Sequence, residues 1–444
     1  MITKNLIDKF NKRFEADASN VSQFAIAKNG IRESSLSQQV IRKHTFNFSH
    51  TTKRGKITQQ NFSGRCWMFA ALNKARVITM EKYNLENIEF SQTYTMFWDK
   101  LERSNYFFNN IIQTINEPIT SRIFMHLVNN PLEDGGQWDM FKGILNKYGI
   151  VPKNHMPETF SSSNSFEMNQ NLTSMLRYYA YELRELASSL QGEELQKQLK
   201  VKKEEYLYNI YNILVKALGN VPTEVNFEFT DKDGKFHRLP KMSPVEFFKE
   251  VVGWNLEDKV SVINAPTKDK PLNNTFSIKY LSSVAEAPAI KHLNIDINEL
   301  KRMSIESIKN NEPVWFGCDV GKMSNSKLGI MDSELYDYRA TLGYLPNWDK
   351  TKRLEYGESL LTHAMVFTGV NLDDKGNPIT WEVENSWGNK LGKEGMFSMS
   401  DKWFEEYVYQ IMVDKKYLTT KQKDIYDNSN TIELEPWDPI GALA

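Results

Sequence analysis

The chain has 444 residues, 40% hydrophobic and 25% charged, enough for a large buried core in one to three domains. A formal net charge of −1 supplies no global field to recruit nucleic acid or an anionic membrane, and no apolar run is long enough to span a bilayer. Two cysteines in so long a chain exclude a disulfide framework, so a reducing, cytoplasmic location is the expectation.

Residues 1–57 mix amphipathic and polar stretches. The opening residues lack the apolar centre of a signal peptide. Leu6, Phe10 and Phe14 share one helical face, which predicts an arm packed on the core. The basic run Arg42, Lys43, Lys53, Arg54 and Lys56 reads as a solvated loop.

The segment from Gln60 to Ala71 carries the first chemistry. Ser63 is a plausible N-cap, and the apolar run from Trp67 onward predicts a buried helix. Cys66 then falls in the first turn, where free N–H groups and the helix dipole favour a thiolate and pull its pKa toward neutrality. Gln60, one short loop upstream, can aim its amide at an oxyanion formed beside the sulfur, with the Cys66 N–H as second donor. Taken alone, Cys66 reads equally well as a small buried hydrophobe.

Ser91 is placed to cap an aromatic-rich helix starting near Gln92. Gly135 and Gly136 follow, and adjacent glycines permit φ > 0 or close approach of another backbone. An ordinary turn before a helix remains open for them. Between Ser165 and Leu218 apolar residues recur at helical spacing, with a break at Gln191-Gly192. Val225–Thr230 alternates like a strand, and Asp231-Lys232-Asp233-Gly234 reads as a hairpin turn. Ser243-Pro244 begins another helix running through Val252. Pro313–Val320 reads as a buried strand, and Cys318 within it as structural.

Of the seven histidines, His363 has the most informative frame. It opens an apolar strand running to Val370, followed by the turn Asp373–Pro378 and a second strand, Ile379–Asn385. Pairing Val370 with Pro378 across the turn brings His363 beside Asn385. An Asn at that place can accept a hydrogen bond from one imidazole nitrogen and leave the other for a nucleophile. Trp387 can cover that bond from water. No histidine pair or Cys/His cluster has metal-ligand spacing, so neither metal nor cofactor is expected.

Gln60…Cys66, Gly135-Gly136, His363 and Asn385-Ser386-Trp387 together resemble the papain superfamily. The Ser-Gly-Arg-Cys-Trp form, Glu89–Lys100 and the ending Trp437-Asp-Pro-Ile-Gly-Ala-Leu-Ala444 are similar to its bleomycin hydrolase/aminopeptidase C branch. The resemblance implies an α+β, papain-like two-lobe fold with a helical insertion and an N-terminal arm. It places the arm at 1–57, a helical lobe with Cys66 at 58–164 and a mainly helical insertion with accessory segments at 165–300. A β-rich lobe with His363 and Asn385 spans 301–430, and a tail in the cleft spans 431–444. Cys66, His363, Asn385 and Gln60 take the catalytic roles, while Gly135 and Gly136 line the cleft and bind extended substrate backbone. The cysteines that form a bridge in secreted relatives are replaced by Ser63 and Glu133. His363 lies 297 residues after Cys66, against roughly 130–150 in papain; the insertion accounts for the difference.

The implied activity is that of a cysteine aminopeptidase acting on peptides. The Ala444 carboxylate pairs with the substrate's α-ammonium and blocks longer chains, and the family's assembly is a homohexamer with active sites on an inner channel. An endopeptidase or oligopeptidase on the same scaffold is the nearer alternative. A nucleic-acid-binding relative is the further one, and the near-zero charge argues against it.

Overall fold

His363–Leu372 is the strand around which the β structure is laid out. It lies between Val314–Cys318 and Pro378–Glu384 in a 12-stranded mixed sheet. The computed structural model describes residues 1–443, apart from the side chains of residues 18 and 19. Val314–Cys318 is buried at every position, as its unbroken apolar run requires, because both faces of this part of the sheet are covered. Alternate side chains enter two cores. Trp315, Ala364, Val366 and Met412 pack with the Cys66 helix. Val314, Phe316, Met365 and Phe367 pack with Trp381, Trp403 and Phe404 on the other side.

The Cys66–Lys82 helix is buried almost all round, as its apolar pattern predicts. It packs against His363–Leu372 on one side and Gln92–Gln113 and Trp138–Tyr148 on the other. Ser91 does cap the second helix, accepting from the Tyr94 N–H at 3.0 Å. The insertion is a helical hairpin, Phe166–Ser189 and Gly192–Leu218, broken at the Gln191-Gly192 step. Tyr179 stacks on Tyr206 across it at 3.9 Å between ring centres. Glu228–Thr230 and Phe236–Arg238 form the expected hairpin about Asp231–Gly234.

Two features differ from the sequence expectation, and one adds to it. Lys4–Ala16 is a helix, but none of its residues is buried, and Phe10 and Phe14 are 57% and 49% exposed. Only the later part of the arm packs: Val40 joins Ile330, Leu335 and Tyr336 in a small third core. Strands Lys259–Ile263, Asn274–Ile278 and His292–Asn294, among the segments that follow the helical hairpin within 165–300, join the large sheet. Finally, Val370 faces Trp381 rather than Pro378, and the pairing is irregular at Phe367/Gly369 and Asn371/Leu372.

Candidate active site

Cys66 is the first residue of its helix, but Ser63 is not the cap. The N-cap position is Arg65, with no side-chain cap. Ser63 instead donates to the Gln60 carbonyl at 2.7 Å and accepts from Arg65 Nε at 2.8 Å. The fully buried Arg65 guanidinium forks onto Glu158 at 3.1 and 2.9 Å. The Arg65 carbonyl takes the N–H groups of Met68 and Phe69, both at 3.0 Å. The backbone N–H groups of Cys66 and Trp67 are thereby left beside the sulfur, joined by that of Ala364 from the neighbouring strand. These donors favour a thiolate, yet burial outweighs them and pushes the Cys66 thiol up to about 11. Burial of the thiol thus opposes the expected fall toward neutrality.

His363 Nε2 lies 2.9 Å from Asn385 Oδ1. Asn385 follows the last residue of its strand, so its side chain reaches His363 despite the shifted register. Its Oδ1 also accepts from the Ser386 N–H at 2.8 Å, which fixes the amide orientation. Burial pushes His363 down to about 4, against the opposing pull of the Asn385 bond. The Trp387 ring lies over the imidazole, 4.7 Å between ring centres. Nδ1 is the ring nitrogen left free of Asn385.

Gln60 is tied to the same strand end. Its N–H donates to the Ser386 carbonyl at 2.8 Å, and its Oε1 accepts from Ser386 Oγ at 2.7 Å. Nε2 donates one hydrogen to the Ser63 carbonyl at 2.7 Å, which leaves a second for a ligand. The Gly388 N–H bonds to the Thr58 carbonyl, and Arg76 on the Cys66 helix meets Glu384 at 2.6 Å. Residues 58–60 and 386–388 therefore stitch the two sides of the site together. Ser386, Arg76 and Glu384 join the site through partners far away in sequence.

Asp134 contributes as well. Its carboxylate accepts from the Gly64 N–H, Asn169 Nδ2 and Ser165 Oγ and pairs with the buried Lys100 at 2.6 Å. Its carbonyl accepts from Trp67 Nε1 at 2.7 Å. Burial alone would raise the Asp134 pKa, but Lys100 and these donors hold it well below the usual carboxylate range. This polar knot joins the two segments that the absent bridge would have linked. Neither Gly135 nor Gly136 adopts positive φ. The need at 136 is space: a Cβ there would lie 2.5 Å from the Trp67 ring. The Gly135 carbonyl accepts from Arg103, and among the described residues no protein acceptor takes the N–H of either glycine.

The next residue, Gln137, touches the chain end. Its Nε2 donates to the carbonyls of Ile440 and Ala442, each at 2.9 Å. Residues 436–439 and 441–443 line a cavity of about 620 Å³ together with Arg103, Glu133 and Tyr280. Ala444, whose carboxylate the sequence reading singles out, lies outside the described residues. Cys318 pairs in register with His363 but packs into the opposite core, and burial raises its thiol well above the ordinary value. Among the described residues no group of three potential ligands could hold a metal ion, and no helix is long and apolar enough to cross a membrane.

Residues 1–441 match the model of the Peptidase C1-like family. Aminopeptidase C of Streptococcus thermophilus is 42% identical over 446 residues, covering 100% of this chain and 99% of that protein. Bleomycin hydrolase of Mus musculus is 39% identical over 438 residues, covering 95% of each. The crystal structure of pepw from Lactobacillus rhamnosis HN001 superposes with a TM-score of 0.98 at 43% identity, covering 100% of this chain and 99% of that one. With this match over its whole length, the chain belongs to the Peptidase C1-like family and has its α+β, papain-like fold.

Proposed function

We propose that Cys66, His363 and Asn385 carry the reaction of this cysteine aminopeptidase, with Gln60 and the Cys66 N–H as oxyanion donors. The observation that carries the reading is the buried His363–Asn385 bond, which leaves Nδ1 as the ring nitrogen for Cys66. In the resting site burial favours neutral thiol and neutral imidazole. Proton transfer from Sγ to Nδ1 then creates nucleophile and acid together, with no net charge brought into the site. Sγ bonds to the scissile carbonyl carbon, and the oxygen takes up negative charge facing Gln60 Nε2 and the Cys66 N–H. The C–N bond breaks as His363 gives its proton to the leaving amine. Water next attacks the thioester carbon as His363 takes its proton, the C–S bond breaks, and His363 returns the proton to Sγ, releasing the residue and restoring the thiol. The unclaimed N–H groups of Gly135 and Gly136 are suited to extended substrate backbone.

The substrates are peptides with a free N-terminus. The tail closes the non-primed side and blocks longer chains there. The enzyme works in the cytoplasm as a homohexamer. The exposed Phe10, Phe14 and Phe24 of the arm are apolar surface suited to contacts between copies. An inner channel then adds a second size filter.

The test is an aminoacyl fluorogenic amide, free or N-acetylated, with full-length enzyme and a form lacking residues 441–444. Full-length enzyme cleaves only the free amine, and truncation admits the acetylated one. Equal cleavage of both substrates by full-length enzyme favours the endopeptidase reading. Activity retained by Cys66→Ala overturns the nucleophile.

A further inference from the structure

Gln137 stands between the glycine pair and the tail, fully buried. Both of its amide hydrogens are committed to the chain end, one to Ile440 and one to Ala442. Its Oε1 therefore has to accept, and the atom facing it at 3.0 Å is His292 Nε2. That nitrogen must carry a hydrogen. His292 Nδ1 is then an acceptor, and Ser261 Oγ lies 2.7 Å from it as donor. Ser261 Oγ in turn accepts from Gln410 Nε2 at 2.7 Å. The chain Gln410–Ser261–His292–Gln137 has one consistent set of hydrogen positions. All four side chains are 1% exposed or less. Burial also keeps His292 neutral, with its pKa pushed down to about 4. The relay starts in the sheet, where Ser261 and His292 face each other on neighbouring strands, and ends on two tail carbonyls.

The other tail contacts fix it further back. The buried Lys270 meets Asp438 at 2.8 Å, and the Arg122 guanidinium lies 3.8 Å over the Trp437 ring. Both precede residue 440. Beyond them Ile440 is buried in the main core with Ala442 and Leu443 packed against it, and among the described residues Gln137 is the side chain outside the tail that hydrogen-bonds the backbone of 440–442.

We infer that Gln137 is the residue that sets the reach of the chain end, and that His292, Ser261 and Gln410 hold its amide with the NH₂ toward the tail. It is a positioning residue for exopeptidase specificity, acting through the tail and touching no reacting atom. The inference rests on the tail reading given above. The same three-residue stretch, Gly135-Gly136-Gln137, then serves substrate backbone on one side and the tail on the other.

Gln137→Glu is the sharp variant: it keeps an acceptor for His292 and removes both donors to the tail. Two readouts separate positioning from simple destabilisation. One is the ratio of kcat/KM on free and N-acetylated aminoacyl amides. The other is the rate at which a carboxypeptidase releases C-terminal residues from the native enzyme. With the melting temperature close to wild type, Q137E lowers the ratio and speeds release, each on the order of tenfold. KM for the free amine rises more than kcat falls. His292→Phe, which frees Oε1, moves both readouts the same way, while His292→Gln, which restores a donor to Oε1, keeps them near wild type. If Q137E yields no folded enzyme, the contrast between H292F and H292Q carries the test. Unchanged ratio and release in the folded variants overturn the inference while leaving the tail reading intact, provided that deletion of 441–444 alters the ratio. If that deletion leaves the ratio unchanged, the tail reading fails and the specificity role of Gln137 with it.

Discussion

His363 and Cys66 are set apart from ordinary histidine and cysteine by the water they lack. Burial lowers one to about 4 and raises the other to about 11. An extra proton is therefore hard to add to the resting pair, so the acid limb of kcat/KM falls well below the ordinary histidine value of about 6.5. Trp387→Ala admits water over the imidazole, relieves the depression and moves that limb upward; a pH–rate profile of the two enzymes checks the sign. Asn385→Ala removes the acceptor that orients the ring. It lowers kcat by about tenfold or more with KM little changed, measured under saturating substrate.

Among elements, the Asp134 turn has the largest predicted effect. Asp134→Asn leaves the fully buried Lys100 without its counter-charge and costs about 3 kcal/mol or more, read as a lowered unfolding midpoint in urea. Much at this scale was legible in the chain. Ser91, Gln191-Gly192 and the Asp231–Gly234 turn marked element ends because their effects are local. His363 and Asn385 came together although the assumed pairing was off, since both sit at strand ends where a side chain can span the error. Ser63 misled because a hydroxyl before a helix reads as a cap whether or not a buried arginine claims it. Asp134, Arg76 and Gln137 were invisible as site residues, because their partners lie far away in sequence and pairing at that distance leaves no periodic trace. Leu6, Phe10 and Phe14 did form one helix, but an amphipathic face does not say which molecule covers it.

For the whole molecule, that uncovered face leads to a prediction of assembly. Sedimentation of the native enzyme gives a mass near six chains, and Phe10→Asp with Phe14→Asp shifts it to smaller species. A uniform six-chain mass in that double variant removes the arm from the contact. The stitching of residues 58–60 to 386–388 has a thermal consequence. It is joined by the Arg76–Glu384 pair and by Trp315 Nε1 donating to the Trp67 carbonyl. Neither side of the cleft can melt while the other keeps its buried partners satisfied. Scanning calorimetry therefore records one heat-absorption peak rather than two, and activity disappears at the same temperature as the near-ultraviolet signal of the buried tryptophans.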